Sequence, residues 1–472
     1  MIINIIRTGI FLALVTAIGI HTGWTSDLII RGIFPGAEGE EVRLMKYRDL
    51  ISGSLTEIAS DTIDNEGHFF VRIAIDEPMQ LTLRIMHASN HFYAEPGNDL
   101  QVVIDPIGHN DQMQRLIQHP LHGAFPMTIY NRREDQIDLN HKVDLLHKMV
   151  ADYIEKLVAP NIRANHRTSL RLFADRSRET FAGCNHPFLD DYVTYYIAYM
   201  ERSLNTKPFN SLFEEYINGQ PIRYGHPMYM DFFKAMFDNY LFSESRSIDI
   251  RDLYAAVNRQ GSYIALMDTL GKDSLLFNDR LRELVMLNGL QRMFARDDFL
   301  AAQIREVLQQ TNSESRFPVH ASIAENILDR QLALHRGSEV PPIELYDVVG
   351  TRVSLQDFSG KYVYVFFGAG WCNTTMAELG PLVDITETFS EDVVVLGILT
   401  DRDKSLIEPM FAPGVFPFRL LHFGNDYRLL DNYLIRTIPQ FLLIDPEGRM
   451  AAYPFVSPSA GAADRLRQII EN

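Results

Sequence analysis

Between residues 28 and 106, hydrophobic and polar side chains alternate with a period of two in short runs at 28–33, 41–47, 68–75, 80–85, 91–94 and 100–104. That period describes strands with one face buried. Asn65-Glu66-Gly67 and Glu95-Pro96-Gly97-Asn98 supply turn chemistry between the runs. The pattern predicts an antiparallel β-sandwich over residues 27–106. From 107 to 336 the period lengthens to 3.6. Val143, Leu146, Val150, Tyr153 and Leu157 share one helix face, Lys142, Asp152 and Lys156 lie off it, and Pro160 ends the run. Further helices are predicted at 189–204, 228–242, 248–258, 280–294 and 298–309, with breaks at Pro187, Pro208, Pro221, Pro227 and Gly271. The aromatic residues from Tyr192 to Tyr199 and from Tyr229 to Tyr240 fall on helix stripes. They are read as helical core in preference to a ligand groove. No repeat of solenoid length is present.

After Gly337-Ser338-Glu339-Val340-Pro341-Pro342, strands and helices alternate: a strand at 362–367, a helix from about 373 to 389, and strands at 393–399, 418–422 and 441–444. Alternation of this kind predicts an α/β domain over residues 337–472. The fold class expected is therefore multidomain: sandwich, central α-helical region, C-terminal α/β domain.

Residues 1–26 carry one cation, Arg7, an apolar stretch from Gly9 to Ile20, and a small polar run ending at Ser26. This is signal-peptide architecture, and it predicts export to the periplasm or another cell-envelope compartment. The apolar stretch is shorter than the ~20 residues a spanning helix needs. Membrane contact is expected to be peripheral at most, unless the segment is retained as an anchor. The absence of a cysteine near its end excludes a lipid-modified cysteine.

Composition narrows the function classes. The chain has 472 residues, 46% hydrophobic and 22% charged, which is ordinary globular usage. Asp and Glu outnumber Lys and Arg by 61 to 44, a formal charge of -17, so the surface repels phosphate backbones and nucleic acid is not an expected partner. Two cysteines, Cys184 and Cys372, build neither a disulfide framework nor a four-thiolate zinc site. His119 and His122, His141 and His147, and His186 match no ligand spacing, so no metal or other cofactor is expected.

Cys372 stands between a strand end and a helix start, where the helix's N-terminal amides favour a thiolate nucleophile. Around it, Leu345-Tyr346-Asp347-Val348-Val349-Gly350, Val353-Ser354-Leu355-Gln356-Asp357-Phe358-Ser359-Gly360-Lys361, Phe367-Gly368-Ala369-Gly370-Trp371-Cys372, and Ile438-Pro439 followed by Phe441-Leu442-Leu443-Ile444-Asp445-Pro446-Glu447-Gly448 form a set. In these residues the C-terminal region resembles the exported thioredoxin-like thiol-disulfide oxidoreductases of the TlpA/ResA type. The 27–106 region resembles the β-sandwich domain of unknown function found ahead of some of them. The resemblance implies a thioredoxin-like fold, with Cys372 as nucleophile, Trp371, Ile438 and Pro439 as substrate-binding residues of the cis-proline groove, and Glu378 as an acidic residue that tunes or relays protons.

The departures from that family matter as much. Thr375 stands where the family places its second, resolving cysteine, Phe366 where many relatives carry a buried Asp or Asn, and Gly368 where they carry Trp. Thr375 cannot resolve a mixed disulfide by itself. Two functions follow as expectations. One is monothiol exchange at Cys372 with a disulfide- or thiol-bearing protein or peptide, completed by an external reducing thiol. The other is a redox-inert module that keeps the groove for binding. Peroxidase chemistry is disfavoured, because residues 364–371 contain no Pro, Thr or Ser to attend the cysteine.

Overall fold

The computed structural model describes residues 26–86, 88–104, 127–132, 138–158, 166–244, 247–347, 350–402, 404, 407–411 and 414–471. The segment read as a signal peptide lies outside them except for Ser26, and so do His119 and His122.

The N-terminal strands are β1 (Ser26–Ile33), β2 (Glu41–Tyr47), β3 (Leu55–Thr62), β4 (His68–Ile75), β5 (Met79–Ile85), β6 (Ala88–Ala94), β7 (Asp99–Ile104) and β8 (Met127–Asn131). They form two sheets, β4-β1-β7-β8 and β3-β2-β5-β6. Leu28, Ile30, Leu44, Leu81 and Val102 are fully buried in the shared core. All strand pairs in this sandwich are antiparallel except β1 with β7. A parallel pair needs a long crossover, and the intervening strands of the second sheet supply it. β3 was not legible in the sequence because it is an edge strand whose side chains are all exposed or half-buried, so it lacks an apolar face.

The central region holds α1 (Leu139–Val158), α2 (His166–Phe181), α3 (Pro187–Ser203), α4 (Phe209–Tyr216), α5 (Pro227–Phe237), α6 (Ile250–Tyr254), α7 (Tyr263–Leu270), α8 (Asp279–Met293), α9 (Ala301–Glu314) and α10 (Pro318–Leu332). Pro187 and Pro227 start helices as much as they break them. Each follows a histidine N-cap, His186 or His226, whose ring nitrogen accepts the amide of Leu189 or Tyr229. The predicted helices at 228–242 and 248–258 are interrupted by π-helical turns at Tyr240–Glu244 and Ala255–Arg259. Tyr229, Phe232, Phe233 and Phe237 fill the core of this region.

In the C-terminal region a hairpin, β9 (Glu344–Tyr346) and β10 (Arg352–Ser354), precedes a five-stranded sheet. Its order is β13 (Arg419–His422), β12 (Val393–Leu399), β11 (Tyr362–Gly368), β14 (Gln440–Ile444) and β15 (Met450–Ala452). The first three run parallel and the last two antiparallel. α11 (Asn373–Thr388) and α13 (Ala462–Ile470) cover one face, where Tyr364 and Phe366 point. α12 (Tyr427–Asn432) lies on the other, with Val363, Val365 and Phe367. Two covered faces explain why β11 reads as a continuous apolar run.

The sandwich touches both neighbours. Arg428 pairs with Glu41 at 2.6 Å and Glu57 at 2.9 Å, and Arg402 pairs with Glu40 at 3.1 Å. On the other side Asp49 accepts from Asn326 at 2.7 Å and Arg48 pairs with Asp329 at 2.7 Å.

Candidate functional site

β11 ends at Gly368, and four residues later Cys372 is the N-cap of α11 with extended φ −87° and ψ 108°. The turn between them closes through the Cys372 amide, which donates to the Ala369 carbonyl at 3.1 Å. Cys372 is half-buried, and its Sγ lies 3.8 Å from the Ile438 carbonyl oxygen. The Ile438–Pro439 peptide is cis. The two segments meet because β11 and β14 pair antiparallel, with Phe367 opposite Gln440. The C-terminal end of one strand therefore lies beside the N-terminal end of the other. Trp371, the residue before Cys372 in the chain, is 36% exposed. The structure thus brings Cys372, Trp371, Ile438 and Pro439 to one place.

Thr375 is not part of that surface. It is 1% exposed, and its Oγ1 accepts the Ala369 amide at 3.4 Å. Its methyl fills the space beside Gly368, where an added Cβ would fall 2.4 Å from Thr375 Cγ2. Phe366 is buried among aromatic rings, edge-on to Phe418 and beside Phe441.

Residues 336–453 match the AhpC/TSA family. The C-terminal domain is a thioredoxin-like domain of that family. Over 121 residues it is 30% identical to the thiol-disulfide oxidoreductase ResA of Bacillus subtilis, a match covering 25% of this chain and 66% of that protein, just under two thirds. The thioredoxin-like protein YneN of the same organism is 20% identical over 120 residues, 25% of this chain and 71% of its own. Among solved structures, a putative thiol-disulfide oxidoreductase from Bacteroides vulgatus is 25% identical, with 29% of this chain and 97% of that one covered and a TM-score of 0.27. A thioredoxin-like protein from Bacteroides caccae is 12% identical, with 50% and 87% covered and a TM-score of 0.34.

Within the thioredoxin-like domain, Glu378 is buried on α11, but its carboxylate is taken by Ser459, whose amide donates at 2.9 Å and whose hydroxyl donates as well. The family resemblance implied that this acid tunes or relays protons at the cysteine. In the structure both of these hydrogen bonds come from the turn that precedes α13.

A second acid was missed. Asp401 follows β12, is 2% exposed, and its Oδ2 accepts the Gly370 amide at 2.8 Å. Beside it, Thr400 donates to the Gly368 carbonyl through both its amide, at 2.8 Å, and its hydroxyl, at 3.0 Å. The end of β12 therefore grips the loop that presents Cys372 at both Gly368 and Gly370. Gly370 leaves no room for another residue, since a Cβ would meet Ile407 at 2.6 Å. Burial pushes the Asp401 carboxyl above the ordinary carboxylate range, opposed chiefly by the Gly370 amide. His422 donates through Nε2 to the Asp401 carbonyl at 2.6 Å, and burial lowers its pKa. The only sequence signal for Asp401 is a carboxylate separated by one residue, Thr400, from the end of an apolar strand.

Cys184, half-buried, packs against the helical core, and neither cysteine is in a disulfide. Among the described residues no three His, Cys, Asp or Glu side chains converge into a metal-binding group.

Proposed function

We propose that the thioredoxin-like domain carries out monothiol exchange through Cys372. The observation that carries the reading is a half-exposed sulfur at the N-cap of α11, 3.8 Å from the carbonyl that precedes a cis proline. The free amides of the helix's first turn favour an anion there, and the Ile438–Pro439 edge offers backbone groups to an extended substrate segment. The Cys372 thiolate attacks one sulfur of a substrate disulfide. A new S–S bond forms, the substrate bond breaks, and the second substrate sulfur leaves as a thiolate. An external thiolate then attacks the substrate sulfur of the mixed disulfide, forming a new S–S bond to it as the bond to Cys372 breaks and Cys372 leaves as thiolate; a second external thiol frees the substrate sulfur by the same exchange. Thr375 supplies no internal alternative, because it is buried and holds a hydroxyl.

The partners of this reaction are a disulfide- or thiol-bearing protein or peptide and a reducing thiol. The compartment is exported, on the strength of the apolar stretch within residues 1–26. Among the described residues no helix is long and apolar enough to cross a membrane.

Trapping decides between this reading and a redox-inert groove. Wild-type protein incubated with a disulfide-bonded model peptide should form a mixed disulfide at Cys372, seen by mass spectrometry and lost in Cys372→Ser. Iodoacetamide should label Cys372 in the folded protein, and the labelled peptide should be lost in Cys372→Ser. Absence of both signals would leave a binding module in place of an exchange protein.

A further inference from the structure

A cleft of about 760 Å³ opens between the sandwich and the helical region, lined entirely by residues between 47 and 234 and so remote in sequence from Cys372. Its volume suits a small organic ligand. α1, α3 and α5 form its helical walls, and β2, β5 and β6 contribute Tyr47, Gln80, His91 and Tyr93. Of the aromatic stripe of α3, Tyr195 belongs to the core alone, Tyr192 is a core residue that also reaches the cleft, and Tyr196 and Tyr199 line the cleft.

One wall is a fixed polar chain. Tyr93 donates its hydroxyl to that of Tyr192 at 3.1 Å, and Tyr192 lies 3.1 Å from His147 Nε2. Burial lowers the pKa of both His147 and His91, so neither brings a positive charge at neutral pH. The charged lining is then Asp144 and Asp231 against Lys234, two carboxylates and one ammonium. Asp231 and Lys234 lie one turn apart on α5 without an ion pair at contact distance, although each feels the other's charge and Lys234 also feels Asp238, Asp49 and Arg292. Asp231 opens onto the cleft, and the surrounding protein still desolvates it enough to raise its pKa. An aromatic cavity whose lining carries more carboxylate than ammonium attracts a cation through both its charge and its ring faces.

We propose that this cleft binds an organic ammonium ligand, its charged nitrogen held by Asp231 with Asp144 and its apolar part against the tyrosine rings. An anionic ligand would face two carboxylates. A polyol would leave their charge uncompensated.

Isothermal titration calorimetry on the full chain in 150 mM salt, roughly the ionic strength at which screening acts within about 8 Å, tests this with three probes: phenethylammonium, its neutral isostere phenethyl alcohol, and glucose. Phenethylammonium should bind with one-to-one stoichiometry and the other two should not. Asp231→Asn should weaken it about tenfold, the scale of one charge-assisted contact. Lys234→Met, which removes the competing cation and keeps the side-chain length, should tighten it. A misfolded variant cannot imitate that opposite change. Equal binding of the alcohol, binding of glucose alone, no binding of phenethylammonium, or an Asp231→Asn protein with wild-type affinity would each overturn the proposal.

Discussion

The methyl group of Thr375 occupies the space that a side chain on residue 368 would need, 2.4 Å from where a Cβ would sit. The two departures from the family pattern on either side of Cys372 are therefore one packing solution. Thr375 fills inward what Gly368 leaves empty, and its hydroxyl closes the loop at Ala369. Gly368→Ala alone should cost about 1–3 kcal/mol through overpacking. Gly368→Ala with Thr375→Ser, which trims the clashing methyl and keeps the hydroxyl, should recover part of that loss. Urea denaturation of both single variants and the pair measures the coupling. Additive losses would show that the two positions do not share the space.

Thr375→Cys places a thiol three residues after Cys372 at the start of α11, a spacing that suits disulfide geometry. Product release from the mixed disulfide then becomes intramolecular. With a protein disulfide substrate and an excess of small-molecule thiol, which re-reduces the disulfide left between residues 372 and 375 after each release, the variant should turn over faster than wild type, whose product release waits on the outside thiol. Recovery should stay partial, because Phe366 and Gly368 are unchanged. Turnover by wild type equal to the variant would mean that an outside thiol resolves the intermediate as fast as an internal one.

Asp401 should separate a structural loss from a titration. Asp401→Leu leaves the Gly370 amide without its buried acceptor, a loss of about 1–3 kcal/mol, and should speed hydrogen exchange at that amide. Asp401→Asn keeps an acceptor and removes the charge. The folded-state pKa of Asp401 lies above its ordinary value of 3.8, so its contribution to stability is full below that value and is lost as pH rises through the folded pKa. The Asn variant does not titrate and should gain on wild type between pH 4 and pH 7. A stability difference independent of pH would contradict the burial-driven shift.

Glu378 offers a direct contrast between clamp and relay. Its carboxylate is held by the amide and hydroxyl of Ser459, so Ser459→Ala should cost about 1 kcal/mol and leave the pH profile of Cys372 alkylation where it was. Glu378→Gln should likewise leave that profile in place. A displaced profile in the Gln variant would restore the acid to the cysteine's chemistry.

What the chain announces by itself is local. The strand, the loop, Cys372 and the helix after it follow from an apolar run, two glycines and a 3.6 period, and the missing second cysteine is read directly from Thr375. The Ile438-Pro439 segment is likewise visible through a family resemblance carried by neighbouring residues. Tertiary structure decided the relationships across distance. Antiparallel pairing of β11 with β14 sets the Ile438 carbonyl against a sulfur 66 residues away, and the sheet order puts Asp401 under the Cys372 loop. Helix rotation turned Thr375 inward and gave Glu378 to Ser459. Periodicity records which face of an element is buried, but it does not say what that face is buried against. For the same reason the tyrosines of α3 were legible as a stripe, whereas its division between core and cleft emerged only when the sandwich was packed beside it.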